Sequence, residues 1–223
     1  MFFNDKQLTI IGGGESIKEG IEKDLWNKLQ NKLTFGLNYS YKFFISTAQL
    51  FVDNDFYANN RLELAKLSLV LGKRHPRIEE TDNLKLFNTT VNYDSTLKKG
   101  IYKASLCGLF ALTLAVYLKP KQLFICGYDF GAKKIDNRRL LTHFYQGVVN
   151  HRGIGKTNYY TPLRAIQEWK CYPSENIYNV SLGSTITQFE KISYDRYFEL
   201  LDSQTYNQDV LRTEIKKKLL TAK

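Results

Sequence analysis

Apolar residues fall along this chain in two alternating patterns. "QLTII" (7–11), "LTFGLN" (33–38), "AQLFVDND" (48–55), "KQLFICGYDFG" (121–131) and "NIYNVSL" (176–182) are short apolar runs closed by glycine or polar residues. Runs of this length and composition predict buried strands. Between the first two, Ile17, Ile21, Leu25 and Leu29 recur four apart with Lys, Glu and Asp among them, which predicts one amphipathic helix with Ser16 placed to cap it. "NNRLELAKLSLVLG" (59–72) fits either a helix running into a strand or one long helix. "ASLCGLFALTLAVYL" (104–118) reads as an apolar helix whose small residues let it pack close on a sheet. A helix is expected around "PLRAIQEW" (162–169), and "YDRYFELL" (194–201) and "QDVLRTEIKKKLL" (208–220) predict a helical tail with a basic end. The stretch 73–100 is polar and weakly periodic: a strand or two with long loops, with room for a small insertion. Residues 131–160 read as a polar loop region containing glycine and histidine.

Strands alternating with helices predict an α/β fold, a Rossmann-like doubly wound, mostly parallel sheet with helices on both faces. One nucleotide-binding domain over 1–223 accommodates every element. In such sheets the ligand crevice lies beyond the carboxyl ends of the strands. That rim would carry Gly12, Gly13, Gly14, Glu15, Ser16, Asn38, Asp53, Asp55, Gly127 and Asp129.

Composition narrows the class. The 223 residues are 43% hydrophobic and 24% charged, too apolar for a disordered chain. The net charge of +10 suits a polyanion, an acidic small substrate or an anionic surface without choosing among them. Cys107, Cys126 and Cys171 form no CxxC pair and sit in apolar settings, as reduced thiols of a cytoplasmic protein would. The start "MFFNDKQ" lacks the basic head and apolar run of a signal peptide, and no transmembrane segment is expected.

The strand-end residues suggest chemistry. The triple glycine 12–14 could present amides to a phosphate at a helix start, or serve only as a tight turn. It is not the dinucleotide fingerprint, because Ile17 stands where a third glycine belongs. "GIGKT" (153–157) lacks the leading glycine of a P-loop, with Asn150 in its place, so Lys156 belongs instead to a basic loop that closes on an anion. Asp53 and Asp55 form a D-x-D pair able to hold a divalent metal, or are turn acids. His143 and His151 in "THFYQGVVNHRGIG" are candidate proton acceptors, with a loop role as the alternative. Ser181 and Ser184 would hold a phosphate or cap the next helix.

The order of "IIGGGESI", "FGLN", "CG" opening an apolar helix, "LFICGYDF", "HRGIGKTNYYTPLRAIQEW" and "NIYNVSLGSTI" resembles the bacterial sialyltransferases of glycosyltransferase family 42. It also resembles, more widely, the 6-hydroxymethylpterin diphosphokinase-like proteins. The resemblance spans about residues 7–200. It implies a nucleotide site at Gly12, Gly13, Gly14 and Ser16, a cytidine contact at Asn38, and a donor-phosphate contact at Cys107 and Gly108. It further implies a G-x-D-F strand end at Gly127, Asp129 and Phe130, and a general base at His151, with His143 as the rival. Cys107 replaces the expected serine, and the arginine expected shortly before Gly108 is absent, with Lys103 out of register.

The resemblance therefore implies a glycosyltransferase taking a CMP-sugar donor and a saccharide acceptor without metal. Its wider branch implies pyrophosphoryl transfer from ATP with Mg²⁺ on Asp53, Asp55 or Asp129. A non-catalytic nucleotide-binding protein is the third possibility. The oligomeric state stays open.

Overall fold

The computed structural model describes residues 2–90, 92–102, 106–130, 132–135, 138–141, 143–147 and 168–221. Its framework is an eight-stranded sheet, formed by β1 (Gln7–Ile11), β2 (Leu33–Leu37), β3 (Ala48–Phe51), β4 (Val70–Lys73), β5 (Leu84–Phe87), β8 (Gln122–Cys126), β11 (Ile177–Val180) and β12 (Glu190–Lys191). The spatial order is β12-β11-β8-β1-β2-β3-β4-β5, and every neighbouring pair is parallel. Two short ribbons lie outside it, β6 (Thr89–Thr90) with β7 (Ile101–Tyr102), and β9 (Ala132–Ile135) with β10 (Arg138–Leu141).

The strands alternate between two buried faces, so most of their positions are apolar and polar ones such as Thr9, Thr34, Gln49 and Asn179 are themselves buried. Leu8, Ile10, Leu33, Phe35, Leu37, Ala48, Leu50, Leu71, Leu123 and Ile125 point to one layer. There they meet α4 (Cys107–Leu118), buried nearly all round, and Leu211, Ile215 and Leu219 of the C-terminal helix (Gln208–Leu220). Ile11, Phe51, Val70, Leu86, Phe124, Cys126 and Val180 point to the other layer. That face is covered by α1 (Ile17–Glu22), α2 (Leu25–Lys28), α3 (Asn54–Leu64) and a helix over Tyr194–Leu200. Helices thus cover both faces of a doubly wound, Rossmann-like sheet. A buried polar pair fixes one of them: the hydroxyls of Thr9 and Tyr197 lie 2.8 Å apart.

Some expectations are corrected and others resolved. The single helix over 17–29 is two, broken at Asp24, which adopts a left-handed backbone (φ 68°). The ambiguous run resolves into α3 followed by β4, a helix running into a strand. The expected strand or two of region 73–100 are present: it supplies the edge strand β5, paired to β4 from Val70↔Leu84 to Lys73↔Phe87, and the short β6. The expected loop after Gly127 contains the β9–β10 hairpin. Of the helix expected around 162–169, only Glu168 and Trp169 lie among the described residues, both buried.

The sheet order reverses between β1 and β8. β2 to β5 follow β1 on one side, while β8, β11 and β12 extend on the other. The two strands end in register, Ile11 opposite Cys126, so the turns that leave them emerge side by side. Such a switch point opens a crevice.

Candidate functional site

A cleft of about 480 Å³ opens at this switch point. The turn after β1 lines it with Gly12, Gly13, Gly14, Glu15 and Ser16, and the turn after β8 with Gly127, Tyr128, Asp129 and Phe130. Asn38 comes from the end of β2, Cys107 and Gly108 from the start of α4, and His143 and Tyr145 from the segment following β10. Of the sequence-derived candidates, Gly12, Gly13, Gly14, Ser16, Asn38, Cys107, Gly108, Gly127, Asp129 and His143 therefore share one cleft. Ser181 reaches its rim. Asp53 and Asp55 do not line it; they are exposed at the start of α3. Among the described residues no three His, Cys, Asp or Glu side chains come together as a metal site. His151 and Lys156 lie outside the described residues.

The glycine turn is bound tightly to its neighbour. The Gly12 amide donates to the Cys126 carbonyl at 2.8 Å and the Gly14 amide to the Gly127 carbonyl at 2.9 Å. The Ser16 amide donates to Oδ2 of Asp129 at 2.8 Å, and its hydroxyl to Oδ1 at 2.5 Å. Ser16 therefore does not cap α1 through its side chain. Asp129 instead brings a carboxylate to the beginning of that helix, where negative charge is favoured. A side chain at Gly14 would meet Asp129 Oδ2 at 2.5 Å and the Gly127 carbonyl at 2.7 Å, which is why this position is glycine. Gly127 also takes a left-handed backbone (φ 70°), natural only to glycine.

The third wall leans on the same turn. The Gly13 carbonyl accepts from the Phe144 amide at 3.0 Å and from Nδ1 of His143 at 3.2 Å. A carbonyl only accepts, so in this contact Nδ1 carries the proton and the neutral ring keeps its lone pair on Nε2. The His143 ring stacks on Tyr145 with centroids 5.0 Å apart. Burial pushes the Tyr145 phenol well above its ordinary pKa, so it stays a neutral hydroxyl.

Asn38 adopts a left-handed backbone (φ 50°), and its carbonyl accepts from Gln49 Nε2 at 2.8 Å. Its side-chain oxygen is buried with no hydrogen-bond partner among the described residues. A buried acceptor in that condition carries a desolvation cost that a ligand donor would relieve. Beside it the Cys107 thiol donates to the Leu50 carbonyl at 3.5 Å, and burial holds it protonated. Ser184 neither caps a helix nor reaches the cleft: its hydroxyl donates to the Tyr128 carbonyl at 2.6 Å, fixing the loop after β11.

Sequence reasoning missed Glu19, Tyr145 and Leu182 as cleft residues. Glu19 stands four residues beyond Glu15 across the α1 start, and Tyr145 two residues beyond His143, spacings that could have placed them beside residues already chosen. Leu182, 65% exposed at the mouth, gave no such signal. The described lining carries three acids, Glu15, Glu19 and Asp129, and no lysine or arginine. Compared with protein families, characterised proteins and solved structures, the chain matches none.

Proposed function

We propose that this chain is a sialyltransferase-like glycosyltransferase that binds a nucleotide-sugar donor, of the CMP-sugar class, in the switch-point cleft. The supporting observation is convergence. The segments that carry the resemblance, at 12–16, 38, 107–108 and 127–129, are far apart in sequence and line one cleft. The unpartnered side-chain oxygen of Asn38 suits a base amino group, as cytosine offers. His151, with His143 as the rival, takes the proton of the acceptor hydroxyl in this reading, and the basic segment 152–157, with Lys156, would answer the phosphate charge.

The amides of Gly12, Gly14 and Ser16 bond within the protein, where they shape the wall; in this reading the donor contacts draw on Asn38, Gly108 and the rest of the glycine turn.

The test is a thermal-shift series with CMP, CDP, UDP, GDP, ADP and ATP, each with and without Mg²⁺. Ligand at about 100 times its Kd adds roughly 2.7 kcal/mol to native-state stability, a shift of several degrees. CMP alone is expected to raise the melting temperature, and Asn38→Ala to abolish the rise. A response to ATP only with Mg²⁺ would replace this reading by pyrophosphoryl transfer. No response to any nucleotide would overturn it. With CMP-sugar turnover in hand, His143→Ala and His151→Ala identify which histidine takes the proton.

A further inference from the structure

The excess positive charge of this chain does not surround the described part of the cleft. A second pocket, of about 310 Å³, lies past the carboxyl ends of β4 and β5, on the same edge of the sheet. Its floor is apolar, from Leu86, Phe87, Leu97, Ile101 and Leu219. Arg74, Lys98 and Lys99 bring three cations to it from two separate segments.

This pocket is built rather than casual. The Arg74 amide donates to the Phe87 carbonyl at 2.8 Å and its guanidinium to the Leu86 carbonyl at 3.3 Å, with Glu80 3.4 Å away. The lysine pair sits on a turn organised by Asp94, whose carboxylate accepts from the Thr96 amide (2.8 Å), the Thr96 hydroxyl (2.6 Å) and the Lys99 amide (3.3 Å). The Ile101 amide then ties that turn to the Asn88 carbonyl at 2.8 Å, and β6 pairs with β7 directly behind it.

We propose that this pocket binds the phosphate of a small phosphomonoester. Glu80 and Asp94 offset part of the positive charge, and Asp94 spends its oxygens inside the turn. Three cationic residues lining one concavity suit a dianion better than a single carboxylate, which one arginine would satisfy. The apolar floor and the modest volume suit a compact body attached to that phosphate, not a polymer. This inference does not depend on the reading of the switch-point cleft.

Titration calorimetry with glucose 6-phosphate, and with glucose as control, tests it on the full chain at low and moderate salt. Wild type is expected to bind the phosphate ester and not glucose. Lys98→Ala/Lys99→Ala is expected to weaken binding about tenfold or more, as loss of two charge-assisted contacts implies. Arg74→Lys, which keeps the charge but removes the fork, is expected to weaken it as well. Lys66→Ala/Lys121→Ala removes the same charge from exposed sites at the opposite edge of the sheet and is expected to bind like wild type. Absence of binding by wild type, equal affinity for glucose, or equal weakening in both double variants would overturn the proposal. Melting curves of each variant separate lost binding from lost folding.

Discussion

Ser16 and Asp129 are 113 residues apart in sequence, and both carboxylate oxygens of Asp129 are engaged by the one serine, through its amide and its hydroxyl. This contact joins the turn after β1 to the turn after β8 across the switch point. It also fills the start of α1 with the protein's own negative charge. The cleft is therefore organised around an internal ion–helix contact that already engages the Ser16 amide and hydroxyl.

Removing either partner should loosen the switch point. Asp129→Asn keeps one acceptor but turns a donor toward the Ser16 hydroxyl or amide, and is expected to cost about 1–3 kcal/mol. Ser16→Ala loses only the hydroxyl bond and should cost about 1 kcal/mol. In a double-mutant cycle by urea denaturation the two losses should be clearly non-additive. Additive losses would show that the residues do not act as a pair.

The glycines of the turn should respond differently to alanine. At Gly14 a Cβ meets backbone and a held carboxylate, which cannot retreat, so Gly14→Ala is expected to destabilise by about 1–3 kcal/mol through overpacking. At Gly13 the nearest atoms are His143 Nδ1 and the Tyr145 hydroxyl, both at 3.0 Å, belonging to side chains able to move. Gly13→Ala should melt closer to wild type but shift the ¹⁵N resonances of the His143 ring. Equal destabilisation by the two substitutions would contradict this division.

The framework was legible because a parallel sheet buried on both faces leaves apolar runs in the sequence, and β1, β2, β3, β8 and β11 all carry them. Polar residues just past those runs pointed to the correct edge. Features set by distant partners were not legible. Ser16 looks locally like a helix cap, and only the folded chain brings Asp129 to it. The only glycine between Ile17 and Leu29, Gly20, lies inside α1 rather than at the break; Asp24 takes its left-handed backbone with no glycine or proline beside it to signal the change. The β9–β10 hairpin hides in two short runs around Asp136-Asn137 that lack regular alternation. β5 is apolar and buried at Leu84, Leu86 and Phe87, but so short a run inside a polar stretch announces a strand without fixing its place.

The three thiols should be separable by reactivity. Cys107 and Cys126 are buried, and burial raises both thiols far above their ordinary range, leaving almost no thiolate at neutral pH. Cys171 is only partly covered. Brief iodoacetamide treatment of the native protein, read by mass spectrometry, is expected to label Cys171 first. Labelling of the other two should appear with added urea, in step with unfolding. Rapid native labelling of Cys107 would mean that the α4 end of the cleft opens far more than its packing implies.

Alkaline pH should unfold this protein earlier than its charge alone would suggest. Burial raises the phenols of Tyr128, Tyr172, Tyr194 and Tyr197 well above their ordinary value, and that of Tyr93 to about 12. A raised folded pKa contributes stability that is complete below the unfolded value, near 10, and is lost as pH climbs toward the folded value. Between those two values the unfolded chain binds fewer protons than the native one, so unfolding free energy falls with each step in pH. Urea midpoints should stay level up to about pH 9.5 and then drop steeply. Tyrosinate absorbance near 295 nm should split into two parts, a reversible one from exposed phenols and a second that appears only with loss of the far-ultraviolet helix signal. A single smooth titration of all the tyrosines with the fold intact would show that these rings are reached by water, and that the two packed layers of the sheet are looser than their side-chain burial indicates.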